Sequence, residues 1–81
     1  MRAALRPMST ELHGRIAIFV NGHARQVGAD MTLGELAQNC GLDPRRLLVE
    51  LNLQTLPRED WPTRTLQHGD RVEFIQVVAG G

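Results

Sequence analysis

One segment of the 81-residue chain, residues 32–41, carries the signals of an amphipathic helix, and strand-like segments lie on both sides of it. Thr32 and Glu35 have the spacing of a capping box, in which each side chain accepts a hydrogen bond from a backbone N–H at the helix start. Gly41 is placed to end the helix in a left-handed conformation. The apolar residues of the segment share one face: Leu33, Leu36, Ala37 and Cys40. A helix with a single apolar face needs another layer to cover it, so the pattern predicts an α+β fold.

The flanking segments predict a mixed sheet of short strands. Residues 15–21 are largely apolar on both faces, as in a central strand, and Asn21-Gly22 supplies the two positive-φ positions of a type I′ turn. Residues 23–27 return as the hairpin partner. After the helix come a strand at 47–52, a shorter extended piece, and the last strand at 71–78. We expect the last strand to lie parallel to the first, in the centre of the sheet.

The last strand has two different faces. Val72 and Phe74 are large apolar residues that should face the helix, and strand alternation then sends Glu73, Ile75 and Val77 to the opposite face. The charge of Glu73 supports this assignment. Ile75 and Val77 would be exposed apolar residues immediately before the end of the sequence. Single exposed aliphatic residues are common and need no explanation, but this position favours a role in docking a partner.

The sequence ends on Ala79, Gly80 and Gly81. Glycine has no Cβ, so two terminal glycines make a thin, pliable thread that can enter a narrow active site. The carboxylate of Gly81 would then be a chemical handle; a frayed end is the alternative, since termini tolerate glycine. We expect a flexible N-terminal tail at 1–14, one folded domain at 15–79, and a flexible diglycine tail at 80–81.

Composition and spacing argue against several functions. Nine basic and nine acidic residues give no net charge and no basic face, so nucleic acid is not an expected partner. No apolar stretch reaches the roughly 20 residues that span a bilayer. Cys40 is the only cysteine, which suits a reducing, cytoplasmic compartment, and its place in the apolar stripe favours the core over a reactive thiol. His13, His23 and His68 are too scattered for a metal site. The chain has no catalytic motif, so we expect it not to be an enzyme.

Four segments of the sequence are distinctive: 19–22, 32–36, 52–61, and 69–74 leading to 76–81. With the order of elements, these segments resemble the ubiquitin-like β-grasp proteins, in particular the ThiS family of sulfur carriers of thiamine thiazole synthesis. The resemblance covers residues 16–81 and implies a β-grasp roll, with one main helix packed on a mixed sheet of four to five strands. Residues 1–14 have no counterpart in the family pattern.

The resemblance also implies a chemistry for the terminus. A ThiF-like adenylyltransferase of the ubiquitin-activating type would use ATP to convert the carboxylate of Gly81 to an acyl adenylate. A sulfur donor, ultimately a cysteine desulfurase persulfide, would then leave a thiocarboxylate there. A ThiG-like thiazole synthase would accept the sulfur as the Gly80–Gly81 thread enters its active site, with Ile75 and Val77 holding the globular body outside. The chain would be a protein co-substrate with no bound cofactor, and ATP would be consumed by its partner.

Three alternatives stay open at the level of sequence. The small subunit of molybdopterin synthase shares the fold and the diglycine, but its members commonly place prolines just before the end, and residues 76–78 contain none. A ubiquitin-like modifier would ligate Gly81 to lysines. A purely structural interaction module would carry the diglycine incidentally, and loss of Gly81 would then be harmless.

A chain that lacks residues 1–14 is expected to fold like the full-length protein, because this segment has no apolar periodicity and precedes the first strand. The measurement is a thermal melt of the two chains side by side. Their midpoints should agree within about 5 °C, the shift that about 1 kcal/mol causes in a domain this small. A larger fall would show that the segment packs on the domain.

Overall fold

The computed structural model describes residues 14–78. It contains one five-stranded sheet in the order β2-β1-β5-β3-β4 and one α-helix, α1. The strands are β1 (Arg15–Val20), β2 (His23–Gly28), β3 (Leu47–Leu51), β4 (Gln54–Thr55) and β5 (Arg71–Gln76), and α1 is Leu33–Asn39. Short 3-10 turns lie at Pro44–Arg46 and Arg58–Asp60.

The last strand occupies the centre of the sheet. β5 runs parallel to β1 on one side and antiparallel to β3 on the other. The predicted α+β roll, one main helix on a mixed sheet with the first and last strands side by side, is therefore confirmed. β3 pairs with β5 from Val72 to Gln76, whereas β1 pairs with it only at Arg71 and Val72.

The predicted helix signals act as expected. The Glu35 N–H donates to Thr32 Oγ1 (3.2 Å), and the Thr32 N–H donates to Glu35 Oε1 (3.0 Å), which completes the capping box. After Asn39 the chain turns at Gly41, whose φ is +71°. Glycine adopts this left-handed conformation without a steric penalty. α1 is too short to cross a bilayer, and no other helix among residues 14–78 has the length and apolar character to do so.

The core lies between α1 and the inner face of the sheet. Trp61 belongs to it with 4% of its surface exposed, and its indole N–H donates to the Leu56 carbonyl (3.0 Å), so the polar atom of the buried ring is satisfied. The residues that are fully enclosed come from the helix, three strands and the loop before β5: Ile18, Leu33, Leu36, Leu47, Val49, Leu66 and Val72. Residues distant in sequence thus share one apolar cluster.

β2 extends one residue further than predicted, to Gly28, and β5 ends at Gln76 instead of at residue 78. β1 and β3 are each one residue shorter than predicted, and the backbone shows why. β1 ends at Val20 and β3 at Leu51, because the following Asn21 and Asn52 have φ values of 48° and 54° and turn the chain out of the strand. The outer face of β1 is also less covered than its apolar sequence indicates. Phe19 is 40% exposed, since the helix packs on the other face, and the Arg71 guanidinium lies 5.7 Å from the centre of its ring.

Candidate functional site

The predicted faces of β5 are confirmed. Val72 is fully buried and Phe74 is 9% exposed, whereas Ile75 and Val77 are 42% and 47% exposed. Burial of the first pair against the helix forces the second pair to the outer face, because side chains alternate along a strand. The structure therefore presents two aliphatic side chains at the surface where the chain approaches its end.

A third exposed aliphatic residue lies beside them. Leu48 of β3 is directly opposite Ile75 in the antiparallel pairing and is 51% exposed. Residues that face each other across two strands have Cβ atoms only about 4.5–5.5 Å apart, so Leu48 and Ile75 are neighbours on the outer face. We call Leu48, Ile75 and Val77 the docking patch, after the docking role that the sequence predicts for Ile75 and Val77. Sequence alternation placed Leu48 on this face, but only the register of β3 against β5 places it beside Ile75.

Charged side chains border the docking patch. Glu50 of β3 and Glu73 of β5 are direct partners in the strand pairing. Each lies on the outer face, two residues along its strand from Leu48 or Ile75. Like charges in direct opposition disfavour strand pairing. A basic side chain of a bound protein would relieve their repulsion, so this border favours a partner with a positive group at that point.

The chain leaves the sheet beside the docking patch. The Val77 N–H donates to the carbonyl of Arg46 (2.7 Å), which ties the chain to the segment just before β3. Val78 follows with 84% of its surface exposed. The predicted site residues Ala79, Gly80 and Gly81 lie outside the described residues. Val78, the residue that precedes them, lies on the surface next to the docking patch.

Two carboxylates of residues 14–78 take part in local hydrogen-bond networks. Asp70 is 6% exposed, and its carboxylate accepts hydrogen bonds from the Asn52 amide (3.0 Å) and the Gln67 N–H (2.8 Å), with Arg64 at 3.4 Å. Hydrogen bonds from the Arg45 backbone and side chain lower the pKa of the exposed Asp43 carboxyl. Within this part of the chain, no group of three or more His, Cys, Asp or Glu residues could hold a metal ion.

Cys40 is half-buried and packs against the core cluster, as its place in the helical stripe predicts. Its Sγ accepts a hydrogen bond from the Arg25 guanidinium (3.2 Å). A cavity of about 500 Å³ lies beside α1, but none of its lining residues comes from β5. Its Glu35 is held in the capping box, and its Arg58 lies 6.0 Å from the ring centre of Trp61. Among the described residues, the end of β5 is therefore the surface best suited to function.

The chain is similar to known proteins over most of its length. The model of the ThiS family matches residues 18–81. The sulfur carrier protein ThiS of Escherichia coli is 34% identical over 64 residues, which are 79% of this chain and 97% of that protein. A thiazole synthase of Paramagnetospirillum magneticum is 31% identical over 64 residues, again 79% of this chain, but the match spans only 20% of that longer protein.

A solved structure gives the same result. The thiamine biosynthesis protein ThiS of Geobacter metallireducens superimposes with a TM-score of 0.71 at 30% sequence identity. The superposition covers 82% of this chain and all of that one. The likeness therefore extends over the whole sheet and helix and is not confined to one motif.

Proposed function

The chain belongs to the ThiS family of sulfur carrier proteins, and from that membership we propose that it carries sulfur as a thiocarboxylate on Gly81 for thiamine thiazole synthesis. The observation that supports this proposal most directly is the exit of the chain at Val77 and Val78, exposed and beside the docking patch. A carrier needs this combination: a surface that a partner enzyme can bind, and a terminus that starts at the edge of that surface.

The chemistry begins with the activation of Gly81. A carboxylate is a poor electrophile because its charge is delocalised over two oxygens. In the proposed reaction one of these oxygens attacks the α-phosphorus of ATP, pyrophosphate leaves, and the acyl adenylate of Gly81 forms on a ThiF-like adenylyltransferase. The outer sulfur of a cysteine desulfurase persulfide then attacks the carbonyl carbon and displaces AMP, which gives an acyl disulfide with the desulfurase. A thiol such as free cysteine attacks the desulfurase sulfur of this S–S bond, so the thiocarboxylate is released and the desulfurase cysteine ends in a disulfide with that thiol. A ThiG-like thiazole synthase is the proposed acceptor of this sulfur.

This chain contributes binding and reach to the reaction, and its partners contribute the catalytic groups. Three residues follow Val78, and an extended chain spans at most about 3.3–3.6 Å per residue. The carboxyl group of Gly81 can therefore lie at most about 10 Å beyond Val78. An enzyme that binds the docking patch must hold its reactive groups within that distance, in a channel narrow enough to favour residues without large side chains.

Incubation with ATP, a ThiF-like adenylyltransferase, a cysteine desulfurase and cysteine is expected to convert the protein to its thiocarboxylate. Intact-mass spectrometry would show the increment for exchange of one oxygen for one sulfur, and fragmentation would place it on Gly81. A reaction without ATP is the control, because an unactivated carboxylate should not exchange. An unchanged mass in the complete mixture, with a known ThiS protein converted in parallel, would contradict the proposed function.

A further inference from the structure

The pairing of β1 with β5 continues beyond the end of β1 through one side chain. Along this edge the Phe19 N–H donates to the Asp70 carbonyl (2.9 Å) and the Asn21 N–H to the Val72 carbonyl (2.8 Å). The next donor of β5 on the same edge is the N–H of Phe74, because alternate residues of a strand direct their backbone groups to the same side. A longer β1 would offer this N–H the backbone carbonyl of Asn21.

Asn21 offers its side chain instead. Its φ of 48° turns the backbone into the β1–β2 turn, so the carbonyl no longer follows the line of the strand. The Phe74 N–H donates to Asn21 Oδ1 at 2.7 Å, and Asn21 Nδ2 lies 3.4 Å from the Phe74 carbonyl oxygen. One amide side chain thus meets both backbone groups of Phe74. Asparagine suits this position for two reasons: it tolerates a positive φ, and its side chain carries both an acceptor and a donor.

The contact between Asn21 and Phe74 holds the last part of β5 along the edge that faces β1, at a point where β1 has already ended. On the other edge the chain is held at Val77, whose N–H donates to Arg46. On the β1 side, Asn21, Phe74 and Gln76 line a groove of about 340 Å³ with residues from the loop after α1. Without the Asn21 side chain, the segment from Phe74 to Val77 would be hydrogen-bonded along one edge only.

We infer that Asn21 is a positioning residue for the sulfur-carrying terminus, an inference that rests on the proposed function of Gly81. It acts through the backbone of Phe74: by fixing both edges of β5 at this point, it sets the direction in which the chain leaves the sheet at Val77 and Val78. A partner enzyme must align the Gly81 carbonyl with its attacking atom to within a fraction of an ångström. Greater mobility at the end of β5 therefore reduces turnover even when the partner still binds the docking patch.

The same device occurs at the other end of β5 and supplies a matched control. Asn52 has a φ of 54°, its N–H donates to the Arg71 carbonyl (2.8 Å), and its Oδ1 accepts from the Arg71 N–H (2.9 Å). Arg71 is the first residue of β5, at the end away from the terminus. Replacement of Asn52 therefore removes a similar backbone clamp without touching the exit of the chain.

The test compares wild type with Asn21→Gly, Asn21→Asp and Asn52→Gly. Glycine preserves the positive φ of either turn but removes the amide, and aspartate at position 21 keeps the acceptor for the Phe74 N–H. Amide hydrogen exchange of Phe74 reports the contact directly, and steady-state kinetics with a ThiF-like adenylyltransferase and ATP reports its consequence. We expect faster Phe74 exchange in Asn21→Gly and a fall in kcat of about 10- to 100-fold, the scale of a small misplacement, with KM little changed.

Asn21→Asp should retain both Phe74 protection and most of the turnover, and Asn52→Gly should retain turnover although its fold is less stable. Equal Phe74 exchange in wild type and Asn21→Gly would overturn the inference, as would wild-type kcat in Asn21→Gly with Phe74 unprotected. A loss of kcat in Asn52→Gly as large as in Asn21→Gly would show that the effect comes from general loss of stability. That result would also overturn the inference. If the wild-type protein is not adenylated at all, the proposed function fails and the inference falls with it.

Discussion

Deletion of Gly81, or addition of one alanine after it, is expected to abolish ATP-dependent sulfur loading while the fold is unchanged. Deletion moves the terminal carboxylate back by one residue, about 3.3–3.6 Å of extended chain. Reacting atoms must lie within about 3–3.5 Å of each other, so this displacement removes the carboxylate from the attacking position. Addition of alanine blocks the original carbonyl in an amide bond. Both changes come after the last described strand, β5, in the sequence.

Intact-mass spectrometry of each variant after the loading reaction would measure the effect, and thermal melts would verify the fold. One alanine added before Met1 is a suitable control, since it gives the same change in mass at the other terminus and should leave loading intact. Efficient thiocarboxylate formation on the alanine-extended protein would eliminate the requirement for a free diglycine end.

Replacement of Ile75 and Val77 together by aspartate should weaken binding to the adenylyltransferase by about 10- to 100-fold and leave a folded protein. Full burial of an aliphatic side chain contributes roughly 1.5–3 kcal/mol, and about half of this remains for residues that are 42% and 47% exposed in the free chain. A difference of 1.4 kcal/mol is about a factor of ten in affinity. Both side chains are exposed in the isolated chain, so the sheet should tolerate the change. Titration calorimetry of wild type and variant would measure the difference.

Leu53→Asp provides the matched control for that experiment. Leu53 is 82% exposed in the β3–β4 turn, at the opposite end of β5 from the docking patch, and its φ of 71° is compatible with aspartate. It changes surface hydrophobicity and charge in the same sense without touching Ile75 or Val77. If the double variant unfolds, the outer face of β5 supports the fold. If it binds as tightly as wild type, the partner uses another surface.

Local signals in the sequence were sufficient for much of the fold. The capping box at Thr32 and Glu35, the left-handed Gly41 and the Asn21-Gly22 turn act between residues a few positions apart, so their geometry follows from short stretches of chain. The alternation along β5 likewise separated the buried Val72 from the exposed Ile75. The ending on Gly80 and Gly81, together with the family segments, was enough to indicate a carrier.

Pairings between distant segments were decided only by the tertiary structure. Leu48 joins the docking patch because of the register of β3 against β5, and Phe19 stays exposed because the helix covers one face of the sheet alone. Asn21 reaches the backbone of Phe74 across 53 positions of sequence. Such contacts depend on how whole strands align once the core has packed, and that alignment minimises unpaired backbone groups over the entire sheet. The sequence alone therefore determined which residues of β5 face the core and which lie exposed, while the packed sheet decided which side chains from distant segments lie beside them.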